Sequence, residues 1–270
     1  MQIEIPDDID LEKIAVSGQC FRAKLLDGGY FRFVSGDHVI YMKETGNHQF
    51  SVSCTHDEWQ EVWTRYFDLD RSYSSIYYEE REKHDFVRKA MDCGRGLRIL
   101  RQDSWEMLVT FIISQRKSIP AISKSVEALA ERYGHLIETD REIIYSFPMP
   151  GEMASASIDE LQKCGLGYRA PYIYDAIQKV VSGKLDLETI ADYNDVELFE
   201  ALQTVHGVGK KVANCVCLFG YGRMARVPVD VWISRAVDED CCGEDPFPLF
   251  ESNAGIIQQY VFYYKKQIGK

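Results

Sequence analysis

The sequence predicts an α+β fold, a small antiparallel β-sheet followed by a mainly helical bulk. Three observations predict it. Between residues 31 and 53, short runs rich in β-branched and aromatic residues alternate with turn-forming triplets. At Thr55 the apolar period lengthens from two residues to between three and four. Beyond that point helix-start patterns recur, each a side-chain oxygen followed three residues later by glutamate.

The strand candidates are FRFV (31–34), HVIYM (38–42) and QFSVS (49–53). Asp27-Gly28-Gly29, Ser35-Gly36-Asp37 and Thr45-Gly46-Asn47 bound them as turns, giving a meander too small to stand alone. Thr55 with Glu58 reads as a capping box, and Trp59, Val62, Trp63, Tyr66 and Phe67 follow at helical spacing. Asp103 with Glu106 opens a helix through MLVTFII. Thr139/Glu142 and Ser157/Glu160 read as further boxes, the second helix ending at Gly165-Leu166-Gly167. A helix is predicted over 172–181, closed by Gly183, and another from Asn194/Glu197 to position 205. The expected division is a sheet domain with flanking helices over 1–100 and a helical domain over 101–270. A C-terminal helix at 252–266 is expected to fold back toward the first domain.

Hydrophobic residues make up 46% of the 270 residues and charged residues 27%, an ordinary globular balance. No apolar run approaches the ~18 residues that span a bilayer. The N-terminal stretch MQIEIPDDIDLEK is acidic and lacks a signal-peptide core, so an intracellular, cytoplasmic protein without a membrane partner is expected. The eight cysteines are expected to be reduced thiols; none forms a C-x2-C pair, and Cys215-x-Cys217 and Cys241-Cys242 do not suit zinc. A net charge of −11 argues against a generic nucleic-acid binder. The charge is uneven, however. From Gln203 to Arg235 there are five basic residues and one acid, a local net of +4.

That stretch carries the candidate chemistry. Gly207-Val208-Gly209 separates two predicted helices, and glycine permits both a positive φ and a close backbone approach. The second helix presents unpaired N–H groups that suit a phosphate, which a backbone grip can bind despite the acidic body. The plain alternative is an ordinary αα-corner. Lys210 and Lys211 sit in the first turn, where cations oppose the helix dipole, so stability alone does not select them. One suits phosphate and the other nucleophilic attack; two solvated lysines are the plain alternative. Lys211 is four residues before Cys215 and shares its face, while Val212, Val216 and Phe219 mark a core face. Asp230, after Val227-Pro228-Val229, reads as an N-cap and, ionised there, can also stabilise positive charge.

These residues, HGVGKKVANC followed by VPVDV, resemble the helix-hairpin-helix–Gly-Pro-Asp (HhH-GPD) DNA glycosylase superfamily, and within it the 8-oxoguanine DNA glycosylase/AP lyases. SGQCFR (17–22), YFDLD (66–70), FIIS (111–114), GLGYRA (165–170) and AGIIQQYVF (254–262) extend the resemblance over most of the chain. The resemblance implies a monomer that excises 8-oxoguanine from duplex DNA in base excision repair. Lys211 would attack the sugar C1′ and form a Schiff base, β-elimination would cut the strand, and Asp230 would stabilise the transition state. It implies that the Gly18 carbonyl accepts the N7–H of the oxidised base, that Gln258 reads its Watson–Crick edge, and that Phe262 and Cys215 sandwich it. Tyr168 would wedge into the duplex and Arg169 would hold the orphaned cytosine. Gly207, Gly209 and Lys210 would contact DNA. No cofactor is required, and the carbonyls of Gln203, Val205 and Val208 would hold a structural monovalent or calcium ion. The residues separately support the pocket: Gln258 and Phe262 share a face near Lys265 and Lys266, off the arc of Ile256, Ile257, Tyr260, Val261 and Tyr264.

The chain departs from the family pattern in two places. Where relatives carry Asn-Asn-Asn-Ile-Ala-Arg it has Arg116-Lys117-Ser118-Ile119-Pro120-Ala121, so the second cytosine reader is Ala121 and the gap-filling asparagine is Arg116. A relaxed preference for the opposite base is therefore expected, with Arg116 contacting DNA. Trp232 stands where relatives have a phosphate-contacting histidine. The alternatives are another glycosylase of the superfamily or a non-enzymatic hairpin module that binds DNA. Cys241-Cys242 cannot supply a four-cysteine iron–sulfur motif, and Lys211 sets the chain apart from the lysine-free alkyl-base glycosylases.

Overall fold

The computed structural model describes residues 1–269. The chain forms two compact units, the first made of residues 1–33, 39–101 and 222–270 and the second of 34–38 and 102–221. The α+β class holds: an antiparallel sheet at the N-terminus precedes a mostly helical remainder.

The first unit begins with β1 (Gln2–Glu4), α1 (Leu11–Val16), β2 (Lys24–Leu26), β3 (Tyr30–Ser35), β4 (His38–Gly46) and β5 (Gln49–Val52). The strand order is β1-β5-β4-β3-β2. Helical structure follows as α2 (His56–Glu58), a π-turn at Trp59–Trp63 and α3 (Thr64–Tyr66), then α4 (Tyr73–Glu80) and α5 (Asp85–Gly94). Thr55 caps α2 by accepting from the Glu58 amide at 3.2 Å, and the Glu58 carboxylate accepts from the Trp63 indole at 3.0 Å. The sheet buries Phe33, Ile40, Met42, Phe50 and Val52 against Ile14, Trp59, Trp63 and Phe67. Phe33 and Phe67 meet edge to face at 5.1 Å, a geometry their ring quadrupoles favour.

In the second unit lie α6 (Ser104–Ile113), α7 (Ile119–Tyr133), β6 (Leu136–Glu138), β7 (Ile143–Tyr145), α8 (Ile158–Leu161), α9 (Ala170–Val181), α10 (Asp195–Gln203) and α11 (Lys210–Phe219). Asp103 caps α6, while Ser157 and Asn194 form reciprocal capping boxes with Glu160 and Glu197. The expected box at Thr139/Glu142 is corrected. The Thr139 hydroxyl does accept from the Glu142 amide at 3.1 Å, but it closes the turn between β6 and β7 and starts no helix. A hydroxyl accepting from the third amide on serves a turn as well as a helix.

The chain then returns to the first unit with α12 (Val231–Asp240) and α13 (Ala254–Ile268). The expectation of one apolar arc on the last helix is corrected, because α13 is buried almost all round, including Gln258, Gln259 and Lys265. It lies against α5, where the Tyr260 ring sits so close to Gly94 that an added Cβ would come within 2.5 Å of it. No described helix is long and apolar enough to cross a membrane.

A buried polar cluster ties the first unit together. Arg98 is fully buried, and its guanidinium donates to the carbonyls of Phe67, Asp68, Arg71 and Asp8 and to the Asp7 carboxylate. Asp7 also accepts from the amides of Tyr73 and Ser74 at 2.6 and 3.0 Å. Burial opposes ionisation of Asp7, but these hydrogen bonds outweigh it and bring its carboxyl down to about 2. The folded pKa lies below the unfolded one, so the stabilisation is complete above pH ~4 and fades as pH falls toward 2. Asp7→Asn is expected to lower the unfolding free energy by about 2 kcal/mol at pH 7. The gap from the wild type should close between pH ~4 and 2 in urea unfolding series; a gap independent of pH would refute this role.

Candidate active site

The hairpin is built by its sequence. Gly207 has φ +82°, in the left-handed region glycine favours, and a Cβ there would fall 2.3–2.8 Å from atoms of the Tyr172 ring. Gly209 is different: it is the N-cap of α11 with φ −93°, and an added Cβ would meet nothing within 4 Å. Two neighbours fix the turn. Gln115 Nε2 donates to the Gly207 carbonyl at 3.2 Å, and the His206 amide donates to Asp175 at 2.7 Å.

Lys210 is exposed and Lys211 half-buried. The Lys211 ammonium lies 5.1 Å from the centroid of the Phe111 ring and donates to Ser114 Oγ at 3.3 Å. Ser114 Oγ in turn donates to the Phe111 carbonyl at 2.8 Å, which leaves its lone pairs for the lysine. Phe111 itself stacks on Phe219 at 5.4 Å. The first turn of α11 and the last turn of α6 thus set the direction of Nζ. Cys215, one turn after Lys211, is 3% exposed. The rest of α11 is buried beyond the core face read from the sequence, since Ala213, Cys217 and Leu218 are covered as well as Val212, Val216 and Phe219. Ser114 was not read from the sequence as part of the site, although it closes the FIIS stretch (111–114) that carries part of the family resemblance.

Two more loops of the same unit carry predicted residues. Arg116 is exposed with φ +50°, a strained backbone for a non-glycine residue. Tyr168 is 52% exposed, and the Arg169 guanidinium lies 4.3 Å from its ring centroid. Arg169 is 7% exposed and donates to the carbonyls of Gln115 and Leu166. In the structure it therefore braces its own loop against the α6–α7 connection. Lys117 adds a second brace, from Nζ to the Gly165 carbonyl at 2.7 Å and to Ser125. Burial and the neighbouring Arg169 charge lower the Lys117 pKa.

Gln203, Val205 and Val208 also lie in the second unit, whereas Asp230, Trp232, Gly18, Gln258 and Phe262 belong to the first. Asp230 caps α12, with Oδ1 accepting from the amides of Trp232 and Ile233 at 3.0 Å each. Trp232 is half-buried, with the Arg235 guanidinium 5.6 Å from its ring centroid. Gly18 has φ +80°. The carbonyl of its neighbour Ser17 accepts from Gln259 Nε2 at 2.9 Å, which brings the Gly18 turn to α13. Gln258 is 3% exposed, and its Oε1 has no hydrogen-bond partner among the described residues. Phe262 is half-buried with the Lys266 ammonium 5.8 Å from its ring centroid. The structure therefore gathers Gly18, Gln258 and Phe262 at one helix, and Lys211, Cys215 and the hairpin at another.

A Gly-Val-Gly hairpin that opens a helix with a lysine in its first turn, in a chain that later caps another helix with an aspartate, defines a class. Residues 109–245 match the HhH-GPD superfamily of base excision DNA repair proteins, and the chain belongs to that superfamily. Residues 2–108 match the N-terminal domain of 8-oxoguanine DNA glycosylases. The N-glycosylase/DNA lyase of Saccharomyces cerevisiae is 38% identical over 190 residues, covering 65% of this chain and 50% of the yeast protein. This chain thus spans about half the length of that relative. The structure of MBOgg1 in complex with a low-affinity DNA ligand is similar over 100% of this chain and 96% of its own, with 37% identity and a TM-score of 0.94. The 8-oxoguanine glycosylase/lyase of Clostridium acetobutylicum, in complex with double-stranded DNA bearing cytosine opposite 8-oxoG, shows 30% identity and a TM-score of 0.90 over 100% and 99% of the two chains.

The two hairpin glycines should respond unequally to a methyl group. Gly207→Ala is expected to lower the unfolding free energy by about 2 kcal/mol or more, from left-handed strain and overlap with Tyr172. Gly209→Ala, in open space, should stay within about 0.5 kcal/mol of the wild type. Urea unfolding of the two variants checks this, and equal losses would contradict it.

Proposed function

We propose that this chain is a bifunctional DNA glycosylase/AP lyase that excises 8-oxoguanine from duplex DNA and acts as a monomer. The observation that carries the reading is the Lys211 amine, aimed by Phe111 and Ser114 at the start of the hairpin helix of a base excision repair superfamily member.

The hairpin would hold a phosphate on the first N–H groups of α11, with the extended, open Gly209 permitting close approach. The flipped base would present its donors to the Gln258 Oε1, a buried acceptor that otherwise lacks one, and its N7–H to the Gly18 carbonyl. Phe262 and Cys215 would close on the ring faces. The Lys211 amine would attack C1′ as the glycosidic bond breaks, the base leaving with the bond electrons and gaining a proton. Loss of the amine proton and breakage of the C1′–O4′ bond, with O4′ taking up a proton, then open the sugar to the Schiff base, and removal of a C2′ proton expels the 3′ phosphate. Asp230, held by two amides, would stabilise positive charge developing on the sugar.

The carbonyls of Gln203, Val205 and Val208 are uncharged donors at a helix C-terminus and its turn, where the partial charge is negative. That donor set fits a monovalent or calcium ion. Such an ion would supply positive charge toward the phosphate.

Borohydride trapping on a duplex containing 8-oxoguanine tests the mechanism. The wild type should form a covalent adduct that Lys211→Gln loses, and Asp230→Asn should slow single-turnover excision by about 10²-fold or more. Neither excision nor an adduct with the wild type would sink the reading. For the opposite strand, excision rates against the four bases opposite the lesion should differ by less than about 10-fold, because Ala121 offers no guanidinium. Arg116→Ala should alter that profile; a steep cytosine preference that survives Arg116→Ala would overturn the relaxed-specificity reading.

A further inference from the structure

Helix α9 carries Tyr172, Asp175 and Lys179 at spacings of three and four, which places them on one face. All three meet the hairpin. Lys179 Nζ donates to the Thr204 carbonyl at 2.5 Å and to Asp175 Oδ2 at 2.8 Å. The same carboxylate oxygen accepts from the His206 amide at 2.7 Å. The Tyr172 ring meets the His206 ring at 4.6 Å and lies against Gly207. Three of the four positions from 204 to 207, namely Thr204, His206 and Gly207, are thus registered against α9 by charge, hydrogen bonds and an aromatic face.

The charge has a consequence for a polyanion. Thr204 is the C-cap of α10, where unpaired carbonyls amount to roughly half a negative charge. A phosphate approaching the N–H groups of α11, six residues further on in sequence at Lys210, would be repelled by that end. An ammonium group on the Thr204 carbonyl offsets the repulsion. Burial opposes ionisation of Asp175, but the His206 amide and the Lys179 ammonium lower its pKa, so it stays ionised at neutral pH and keeps the lysine in place.

We propose that Lys179, oriented by Asp175, is a positioning residue for DNA: a tethered cation that neutralises the C-terminal end of α10 and holds the hairpin in a phosphate-accepting shape. The inference rests on the reading of the hairpin as the DNA grip. If it holds, a small cation can substitute for a missing ammonium among the carbonyls, whereas a bulky quaternary ion cannot.

Fluorescence anisotropy with a duplex carrying a tetrahydrofuran abasic-site analogue tests this, in potassium chloride and in tetramethylammonium chloride at equal ionic strength. Lys179→Met is expected to bind about 10-fold more weakly than the wild type in tetramethylammonium and to recover most of the loss in potassium. The wild type and Lys179→Arg should share the potassium dependence of the hairpin ion alone, and Lys179→Met should exceed that dependence by about fivefold or more. A structural role alone would weaken binding in both salts alike. Lys179→Met binding as the wild type does in both salts, losing affinity equally in both, or a wild type with the same salt selectivity as the variant would each overturn the proposal. Should Lys179→Met not fold, Lys179→Gln takes its place under the same outcomes. A wild type that binds the duplex in neither salt would refute the DNA reading of the hairpin itself, and this inference with it.

Discussion

The hairpin between α10 and α11 depends on the left-handed turn at Gly207, and that turn is held from both sides. Gln115 reaches its carbonyl from the end of α6, while Tyr172 and Asp175 hold it from α9. The Gln115 carbonyl also receives Arg169. One residue therefore joins the hairpin to the loop carrying Tyr168. The two bonds use different parts of that residue, its side-chain amide for the Gly207 carbonyl and its main-chain carbonyl for the Arg169 guanidinium. For a chain of net charge −11, such fixed main-chain geometry has to do much of what a basic surface does elsewhere.

Much of this was legible in the sequence where local rules suffice. The strands β3, β4 and β5, the caps at Asp103, Ser157, Asn194 and Asp230, the hairpin and the shared face of Lys211 and Cys215 depend on residues within a few positions of each other. What escaped was set by distant partners. Thr139 and Glu142 matched a helix start, but three-residue strands on either side claimed the same hydrogen bond for a turn. The single apolar arc on α13 failed because that helix is enclosed, with Lys265 paired to Glu239 and Asp240. The Tyr172–Asp175–Lys179 face was visible as spacing, yet its meaning depends on a hairpin some thirty residues away in sequence.

The division into two units gives the sequence order a physical sense. The residues read as recognising the base stand near the two ends of the chain, at Gly18 and at Gln258 and Phe262, and they share the first unit. A hydrogen bond between Gln259 and Ser17 spans 242 positions and anchors that arrangement. The lysine and the hairpin belong to the second unit, which is nearly continuous in sequence. The fully buried Arg98, bonded to carbonyls from two separate stretches, at Asp8 and over 67–71, ties the first unit together.

The Gln258 oxygen has an energetic meaning of its own. A buried acceptor without a donor costs the folded state about 1–3 kcal/mol. A ligand that brings a donor relieves the penalty as it binds, whereas one that brings an acceptor adds to it. If Gln258 reads the base as proposed, discrimination there would arise less from attraction to the right ring than from the cost of leaving this acceptor unpaired.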